Sequence, residues 1–361
     1  MKLSNYTLYG KLILRDGIVE NGAVTVENGI IIYAGIAENA PRCGQVLRTE
    51  HYIGPGYVDI HCHAGGNQFV HEDPVAVANF HLRHGTTGML MTMYRDVGHE
   101  KTLAAIHRIK DLMGPGSNIL GVHLEGPYLN SNLGSGLGKP PIPVEPDKYR
   151  ALGSTGIIRQ WTYAPELDGM EDFLAYVVSM GIVPAIGHSA ASPEEVFAAE
   201  KGGARIVTHL FDAMGQLPTR WTGTVETDTA HATLLCDDMY YEIICDEKGI
   251  HVRHDMVRLA IKTVGIDRIV GITDCFVGEE IMGDVYFIDG LLSGSRLTMD
   301  VVAKNFRSLG LSLPDVFKVV STNPAKAIRM DDTVGSLTPG CRGDLVIVDE
   351  GANLMDVIKA L

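Results

Sequence analysis

The segment GYVDIHCH, residues 56–63, joins an apolar β-strand pattern to two histidines at its carboxyl end. Alternate residues of a strand point to the same side, so His61 and His63 are predicted to face one space. Further along the chain, more apolar, β-rich runs are TTGMLMTM, NILGVHLEG, IRQWTYAP, GIVPAIGHS, ARIVTHLFDAM, YYEIICD and RIVGITDC. Amphipathic helix-like segments such as MEDFLAYVVSMG lie between these runs, which is typical of βα units around a buried parallel sheet.

Eight such strands predict a (β/α)₈ TIM barrel, in the α/β class. A doubly wound open sheet is the alternative. We prefer the closed barrel because polar residues recur at the carboxyl ends of the strands, where barrel enzymes place their chemistry. Both chain ends carry short strands broken by turns, so residues 1–52 and 331–361 are predicted to form one small β-sandwich domain. The barrel then spans residues 53–330.

Charge and cysteine content exclude some classes of partner. The net charge of −14 repels phosphate backbones and anionic membrane surfaces, so neither nucleic acid nor a membrane is an expected partner. The sequence holds no uninterrupted stretch of about 18 apolar residues. The six cysteines form no CxxC pair, and a disulfide framework is not expected. We therefore predict a cytoplasmic protein.

Side chains suited to metal binding end five of the predicted strands. They are His61, His63, Glu125, His188, His209 and Asp274, at strands one, three, five, six and eight. Taken alone, the pair His61 and His63 is equally well explained by metal binding or by two incidental polar residues. Each of the other four, taken singly, is better explained as a hydrogen-bonded core histidine or a structural acid. Burying all of them unpaired would be costly, and a shared cation removes that cost.

This donor set predicts a hydrolytic metal site. Nitrogen and oxygen ligands without thiolate suit Zn²⁺, our first expectation, and also Fe²⁺, Mn²⁺ or Co²⁺. A bound ion lowers the pKa of its water and polarises a carbonyl oxygen. Asp274 is then placed to take the proton of the water and pass it to a leaving amine. The predicted reaction is hydrolysis of an amide or related C–N bond.

Several separated motifs resemble the amidohydrolase superfamily, and specifically its N-acetylglucosamine-6-phosphate deacetylase family. They are GPGYVDIHCHAGG, GVHLEGPYLN, AIGHSAA, THLFDAM, GIHV, ITDC, SGSRLTMD, STNPAKAI and VGSLTPGCRGDLVI. The resemblance implies that Glu125, His188 and His209 hold the principal ion and that Asp274 is the catalytic base. The pair His61 and His63 would complete a second metal position, so one or two ions are expected. It further implies a small-molecule N-acetyl amino sugar as substrate, amino sugar metabolism and a homodimer.

The resemblance also assigns substrate contacts to Asp212, Ala213, His251, Leu292, Ser293 and Gly294. Three features depart from the family. The family usually has asparagine where this chain has Asp212, and a carboxylate that faces a sugar phosphate repels it unless neutralised. The family loop after HLEGP supplies a histidine near the sugar, whereas SNLGSGLGKPPIP has none and offers Lys139 instead. The candidate for a phosphate-binding arginine is Arg220, in PTRWTGTVETD.

Two alternatives stay open at this point. The protein could be another amidohydrolase, acting on a cyclic amide, an N-acyl amino acid or a nucleobase. It could also be a catalytically silent scaffold on the same barrel, since a fold does not determine a function. A substrate panel and a metal analysis separate these from the deacetylase.

Overall fold

The structure is a computed structural model that describes residues 1–219, 221–278 and 280–361, without the side chains of residues 135 and 280. Strands in this part of the chain are β1 Lys2–Leu3, β2 Tyr6–Leu14, β3 Gly17–Glu27, β4 Ile30–Ile36, β5 Gln45–Pro55, β6 Tyr57–Cys62, β7 Ala64–Gly65, β8 Gln68–Phe69, β9 Thr86–Tyr94, β10 Ile119–Glu125, β11 Ile158–Tyr163, β12 Val183–Ile186, β13 Ile206–Val207, β14 Tyr240–Ile244, β15 Ile269–Ile272, β16 Glu280–Met282, β17 Val285–Ile288, β18 Leu291–Ser295, β19 Leu345–Val348 and β20 Leu354–Ala360.

The α-helices of the same described ranges are α1 Pro74–Arg83, α2 His99–Leu112, α3 Pro146–Gly153, α4 Met170–Ser179, α5 Pro193–Lys201, α6 Thr229–Thr233, α7 His254–Val264, α8 Met299–Ser308, α9 Leu313–Phe317 and α10 Asn323–Ala327. A π-helical turn, Lys318–Thr322, joins α9 to α10. None of the helices described is long and apolar enough to cross a bilayer.

A parallel sheet forms the centre of the molecule, in the order β6-β9-β10-β11-β12-β13-β14-β15. Its two ends meet where the amide of Asp274 donates to the carbonyl of His61 at 2.9 Å and the amide of His63 donates to the carbonyl of Cys275 at 3.0 Å. These bonds join the first strand to the segment after the last. The prediction of a TIM barrel is confirmed, and each of its strands coincides with one of the apolar runs identified in the sequence.

The barrel forms because its strands are buried on both faces and its helices on one. All seven residues of β10 are buried, as expected for a parallel strand covered by helices outside and by side chains inside. Helix α7 buries Val257, Ala260 and Val264, whose spacing of three and four residues places them on one face. A capping box between Ser192 and Glu195 starts α5 and satisfies its first amide groups.

The two chain ends meet in a second sheet, in the order β1-β20-β19-β5-β2-β3-β4. Its own apolar core includes Tyr6, Val24 and Leu345. A buried ion pair of 2.7 Å between Lys359 and Asp344 fastens the last strand. The predicted β unit formed by both ends is confirmed. Its limits, 1–52 with 331–361 around a barrel of 53–330, stay a prediction.

Two small elements shape the mouth of the barrel. The hairpin β7–β8 follows β6 directly, and β16-β17-β18 forms a three-stranded antiparallel sheet after β15. Strand β18 brings residues 291–295 back to the end of β15, where the amide of Ser295 donates to the carbonyl of Asp274 at 2.8 Å. Both elements therefore border the space above the carboxyl ends of the barrel strands.

Candidate active site and metal centre

The side chains predicted to bind metal lie together at the carboxyl end of the barrel, and all are buried. They are His61, His63, Glu125, His188, His209 and Asp274. Glu125 is the last residue of β10, while His188, His209 and Asp274 each lie two residues beyond the end of a strand. Because parallel strands end at the same rim, residues far apart in sequence converge there.

Three of these residues have left-handed backbone conformations. The φ angles are 47° at His188, 30° at His209 and 43° at Asp274. Residues other than glycine rarely adopt this region, and each instance costs on the order of 1–3 kcal/mol. Such strain persists where surrounding structure imposes it, and it is concentrated at functional sites.

One group of donor atoms surrounds the first oxygen of Glu125. Its Oε1 lies 2.9 Å from Nε2 of His188 and 2.9 Å from Nε2 of His209. The two Nε2 atoms are 3.0 Å apart. Because Oε1 of Glu125 and the two Nε2 atoms all lie within 3.0 Å of one another, these three residues form the first candidate ligand set for a cation.

A second group lies beside it and shares the same carboxylate. Nε2 of His61 and Nε2 of His63 are 3.2 Å apart, and Oε2 of Glu125 lies 3.3 Å from Nε2 of His63. Oδ1 of Asp274 is 3.2 Å from Nε2 of His63 and 3.4 Å from Nε2 of His61. Glu125 therefore stands between two candidate metal positions and offers one oxygen to each.

The chemistry of these donors fits a divalent cation. Two ligands bonded at about 2.0–2.1 Å to a tetrahedral ion lie about 3.3 Å apart, close to the separations of the Nε2 pairs. Nδ1 of His61 donates to Glu242 at 3.0 Å, and Nδ1 of His209 donates to the carbonyl of Asp212 at 3.2 Å. Protons held at Nδ1 leave the Nε2 lone pairs as ligands, the arrangement typical of metal-binding histidines.

The buried acids of the cluster also favour positive charge on the groups around them. Burial lowers the pKa of His63 and of His209. Hydrogen bonds and charge from Asp274 and Glu125 outweigh it at His63, and those from Glu125 outweigh it at His209, so both pKa values are raised to about 10. Burial likewise raises the pKa of Glu125, yet the charge of His188 and the surrounding hydrogen bonds hold it well below its usual range. Positive charge on the imidazoles thus balances the acids, and a bound cation replaces those protons.

The fully buried Glu242 bonds to one histidine of this cluster, and it was not predicted from the sequence. Glu242 lies in β14, where its Oε2 accepts from Nδ1 of His61 at 3.0 Å. Its Oε1 accepts from Nε2 of Gln160 at 2.6 Å. The available signal was an acid in the middle of the apolar run YYEIICD, ahead of the acid that ends it. An acid there requires buried partners, and His61 is one of them.

His123 is a second inward-facing residue that was missed. It precedes Glu125 by two positions in β10, so both side chains point into the barrel. Its Nε2 bonds with Oγ1 of Thr162 at 2.8 Å, and its ring centre lies 4.6 Å from that of His61. Burial and the neighbouring His61 lower its pKa well below the usual value, so His123 is neutral. The pattern VHLE carried this signal.

A further group is formed by Asp59 and Cys62 of β6 with His81 of α1. Oγ1 of Thr273 donates to Asp59 Oδ2 at 2.6 Å, and Nε2 of His81 donates to the carbonyl of Ala64 at 2.8 Å. Cys62 Sγ lies 3.2 Å from the same Nε2. These contacts tie the group to the strand that carries the histidine pair, while Nδ1 of His81 is buried without a hydrogen-bond partner among the described residues.

A cleft of about 460 Å³ opens above the metal-binding cluster, within the usual size of a small-molecule site. The predicted substrate residues that line it are Asp212, Ala213, His251, Leu292, Ser293, Gly294 and Lys139. Lys139 forms an ion pair with Asp96 at the rim. The remaining predicted contact, Arg220, lies outside the described residues.

Asp212 and His251 form an ion pair in the lining of this cleft. Nδ1 of His251 donates to Oδ2 of Asp212 at 2.5 Å, and its Nε2 donates to the carbonyl of Gly294 at 3.0 Å. Burial lowers the pKa of His251, but Asp212 more than compensates and raises it. Burial raises the pKa of Asp212, yet the bond to His251 lowers it overall. Both ring nitrogens of His251 are therefore engaged within the protein.

Comparisons with known proteins agree with this architecture. The model of the amidohydrolase family matches residues 52–360. An N-acetylglucosamine-6-phosphate deacetylase of Lysinibacillus sphaericus is 28% identical, over 97% of this chain and 96% of its own length. An N-acetylgalactosamine-6-phosphate deacetylase of Escherichia coli O157:H7 is also 28% identical, over 96% of both chains.

Among solved structures, the N-acetylglucosamine-6-phosphate deacetylase of Thermotoga maritima is 30% identical, with a TM-score of 0.82 over 97% of this chain and 96% of its own. The barrel and its buried histidine–carboxylate cluster define a hydrolase of the metal-dependent amidohydrolase class. Within that class, this chain belongs to the amidohydrolase family as a divergent member of its N-acetylglucosamine-6-phosphate deacetylase group.

Proposed function

We propose that this protein removes the acetyl group from an N-acetyl amino sugar, with N-acetylglucosamine-6-phosphate as the first candidate substrate. The observation that carries the proposal is the position of Glu125, with Oε1 2.9 Å from His188 and His209 and Oε2 3.3 Å from His63. A carboxylate that lies between two pairs of histidine side chains is suited to hold one or two divalent ions. The relatives named above supply the substrate class.

The proposed ligands belong to two metal positions. Glu125, His188 and His209 hold the principal ion, and His61 and His63 complete a second position. A bound divalent ion lowers the pKa of water and polarises the amide carbonyl. We propose Zn²⁺ as this ion, because imidazole and carboxylate ligands suit it.

Asp274 has the role of proton carrier. Its carboxylate lines the cleft, with Oδ1 within 3.2–3.4 Å of both histidines of the pair. Burial raises the pKa of Asp274, but the charge of His61 and the bond to His63 lower it overall, so the group is ionised. An ionised Asp274 accepts a proton at Oδ1 during attack on the amide and returns it to the departing amine nitrogen.

A second candidate is the unphosphorylated N-acetylhexosamine, which the Asp212–His251 pair favours. The carboxylate of Asp212 lines the cleft and is an acceptor without a proton to donate. His251 has both nitrogens engaged, so it offers a phosphate no free donor. Lys139 is already paired with Asp96. Acceptor groups here suit sugar hydroxyls better than a phosphate.

Acetate release tests both candidates. The metal-loaded protein is assayed with N-acetylglucosamine-6-phosphate, N-acetylgalactosamine-6-phosphate and their unphosphorylated forms, and kcat/KM is compared. Absence of acetate release from every sugar, while a cyclic amide or N-acyl amino acid is hydrolysed, would overturn the deacetylase proposal. A protein that retains no metal after metal-replete expression and hydrolyses nothing would favour the scaffold.

The variant Asp212→Asn isolates the effect of the carboxylate on phosphate. Removing one negative charge from the cleft is expected to raise kcat/KM for the 6-phosphate sugar relative to the free sugar by about tenfold, because like charges at short range repel by on the order of 1 kcal/mol or more. Asp289→Asn, at another acidic position of the cleft lining, is the matched control for net charge. An equal change in both variants would attribute the preference to overall charge.

The oligomeric state, the cellular location and the lack of nucleic-acid binding stay predictions from the sequence. The expected homodimer is tested by light scattering on the purified protein. The expected cytoplasmic location is tested by fractionation. The expected lack of affinity for nucleic acid is tested by a binding assay at low salt, where phosphate contacts are strongest.

A further inference from the structure

Glu166 follows β11 in the segment TYAPE, and the chemistry proposed above gives it no role. Strand β11 lies between β10 and β12 in the barrel sheet. A side chain just beyond the end of β11 is therefore placed to reach the loops that follow both neighbouring strands. The loop after β12 carries His188, one of the candidate metal ligands.

The carboxylate of Glu166 accepts three hydrogen bonds from these two loops. Its Oε1 accepts from Nδ2 of Asn130 at 2.9 Å and from the amide of Ala190 at 2.7 Å. Its Oε2 accepts from Oγ of Ser189 at 2.7 Å. Ser189 and Ala190 are the two residues that follow His188, so Glu166 holds the backbone immediately beyond this candidate ligand.

The loop after β10 also holds His188 directly. The amide of Asn130 donates to the carbonyl of His188 at 2.9 Å. Asn130 therefore connects the backbone of His188 to the carboxylate of Glu166. His188 has a left-handed backbone with φ of 47°, a conformation that persists only where the surrounding structure imposes it. The bonds of Glu166 and Asn130 are the contacts that act on this backbone.

The ring of His188 is oriented differently from the rings of His61 and His209. Nδ1 of His61 and Nδ1 of His209 each make a hydrogen bond within the protein. Nδ1 of His188 has no such partner among the residues that the structure describes. Packing confines the ring instead, since a β-carbon at Gly134 would lie only 2.7 Å from this Nδ1. The direction of the His188 ring therefore depends on the backbone that carries it.

We propose that Glu166 is a positioning residue, which fixes the backbone of His188 and thereby orients its Nε2 towards the principal metal position. Nε2 of His188 lies 2.9 Å from Oε1 of Glu125, and metal ligands must be held to within about 0.5 Å of their working geometry. Glu166 is not among the described residues that line the cleft, so it acts through the residues it bonds. This inference rests on the proposed function, because it takes His188 as a ligand of the principal ion.

The first experiment compares Glu166→Ala with Glu166→Gln. Alanine removes all three acceptor bonds. Glutamine keeps an oxygen for Asn130 and Ala190, and the hydroxyl of Ser189 can rotate to accept from the new amide nitrogen. Zn²⁺ affinity, measured by competition with a chromophoric chelator, is expected to fall about tenfold to a hundredfold in Glu166→Ala but less than about threefold in Glu166→Gln. Equal losses in the two variants would overturn the inference, because the negative charge and not the three bonds would then govern the affinity.

Glu195→Ala is the matched control. Glu195 also accepts from a backbone amide and a serine hydroxyl, those of Ser192 at 2.7 and 2.9 Å, but it does so at the start of α5. This variant is expected to lower the melting temperature and to leave Zn²⁺ affinity unchanged. A loss of affinity in Glu195→Ala equal to that in Glu166→Ala would refute a specific role of Glu166.

Ser189→Ala provides the comparison should Glu166→Ala fail to fold. It removes the bond to Oε2 of Glu166 while the bonds to Oε1 stay. Zn²⁺ affinity is expected to fall about three- to tenfold in this variant. Wild-type affinity in Ser189→Ala would count against the inference in the same way as wild-type affinity in Glu166→Ala.

The proposed function and the role of Glu166 fail in different ways. If the folded wild-type protein binds no Zn²⁺, the proposed function is wrong and the role of Glu166 falls with it. If the wild-type protein binds Zn²⁺ and releases acetate while Glu166→Ala keeps wild-type affinity, the proposed function stands and the inference alone is refuted. A lower melting temperature of Glu166→Ala with unchanged Zn²⁺ affinity would assign Glu166 to stability and would also refute it.

Discussion

Replacing Glu242 with glutamine tests whether this buried acid positions His61 for metal binding. In the native chain, the carboxylate accepts from Nδ1 of His61 at 3.0 Å and from Nε2 of Gln160 at 2.6 Å. A glutamine has one acceptor oxygen and one donor nitrogen, so one of these two donors must face another donor. The volume of the side chain is retained while its charge is removed.

The size of the effect follows from the bond that is lost. A hydrogen bond to a charged group contributes about 1.5–3 kcal/mol, which corresponds to a tenfold to hundredfold change in affinity. Loss of an outer partner of a metal-binding histidine typically costs the same range. We expect Glu242→Gln to weaken metal binding by about ten- to a hundredfold, with the ion held by His61 and His63 affected first.

The assay is metal competition against a chromophoric chelator, with the melting temperature of the metal-free protein recorded in parallel. Glu200→Gln is the matched control, since Glu200 accepts backbone hydrogen bonds at the end of α5, away from the metal ligands. In the double variant Glu242→Gln with Gln160→Glu, the new glutamine can accept from Nδ1 of His61 and donate to the new glutamate. This variant is expected to recover part of the metal affinity. If Glu242 only stabilised the fold, the double variant would not recover metal affinity.

Wild-type metal affinity in Glu242→Gln would refute the reasoning. So would an equal loss of affinity in Glu200→Gln, because the change would then be unrelated to His61. A fall in melting temperature of the metal-free protein without a change in affinity would assign Glu242 to stability alone.

Further predictions concern the base, the ion and the core. Asp274→Asn is expected to retain most of the bound metal and to lower kcat by about a hundredfold or more, since it removes the proposed general base; near-normal kcat in this variant would exclude Asp274 from the mechanism. Treatment with a chelator is expected to abolish activity and added Zn²⁺ to restore it, and full activity in protein shown by mass spectrometry to lack metal would contradict this. Phe173 is fully buried and contacts the rings of Tyr128, Trp161 and Tyr163 at centre distances of 5.1–5.5 Å. Phe173→Ala is therefore expected to lower the free energy of unfolding by about 3–5 kcal/mol in urea titration, and a loss below about 1 kcal/mol would show that the site repacks.

The alternating apolar runs and amphipathic helices were enough to predict the barrel. Each barrel strand is short and buried, as in β10, so its sequence is a nearly continuous apolar run that local inspection detects. The ligand candidates were recognised for the same reason, because a histidine or an acid that ends such a run is conspicuous. His188 in AIGHS and His209 in VTHL are examples.

Other residues of the site could not be located from local pattern. Glu242 was visible as an isolated acid in β14, but its partner His61 is 181 positions away along the chain. Phe69 lies in a two-residue strand that has no periodicity to detect. Its contacts with Tyr94 and Phe276 arise only when the barrel closes.

The sequence by itself therefore determined the type of each barrel strand, the class of fold and the candidate metal-binding residues, since these depend on composition and spacing along one strand or helix. Only the tertiary structure decided which oxygen of Glu125 lies beside which histidines, that His251 is already paired with Asp212, and that the rings of Phe69, Tyr94 and Phe276 meet in the cleft. These features are contacts between residues distant in the chain. Their distances are set by closure of the sheet and by the packing of loops at its rim, which no local pattern encodes.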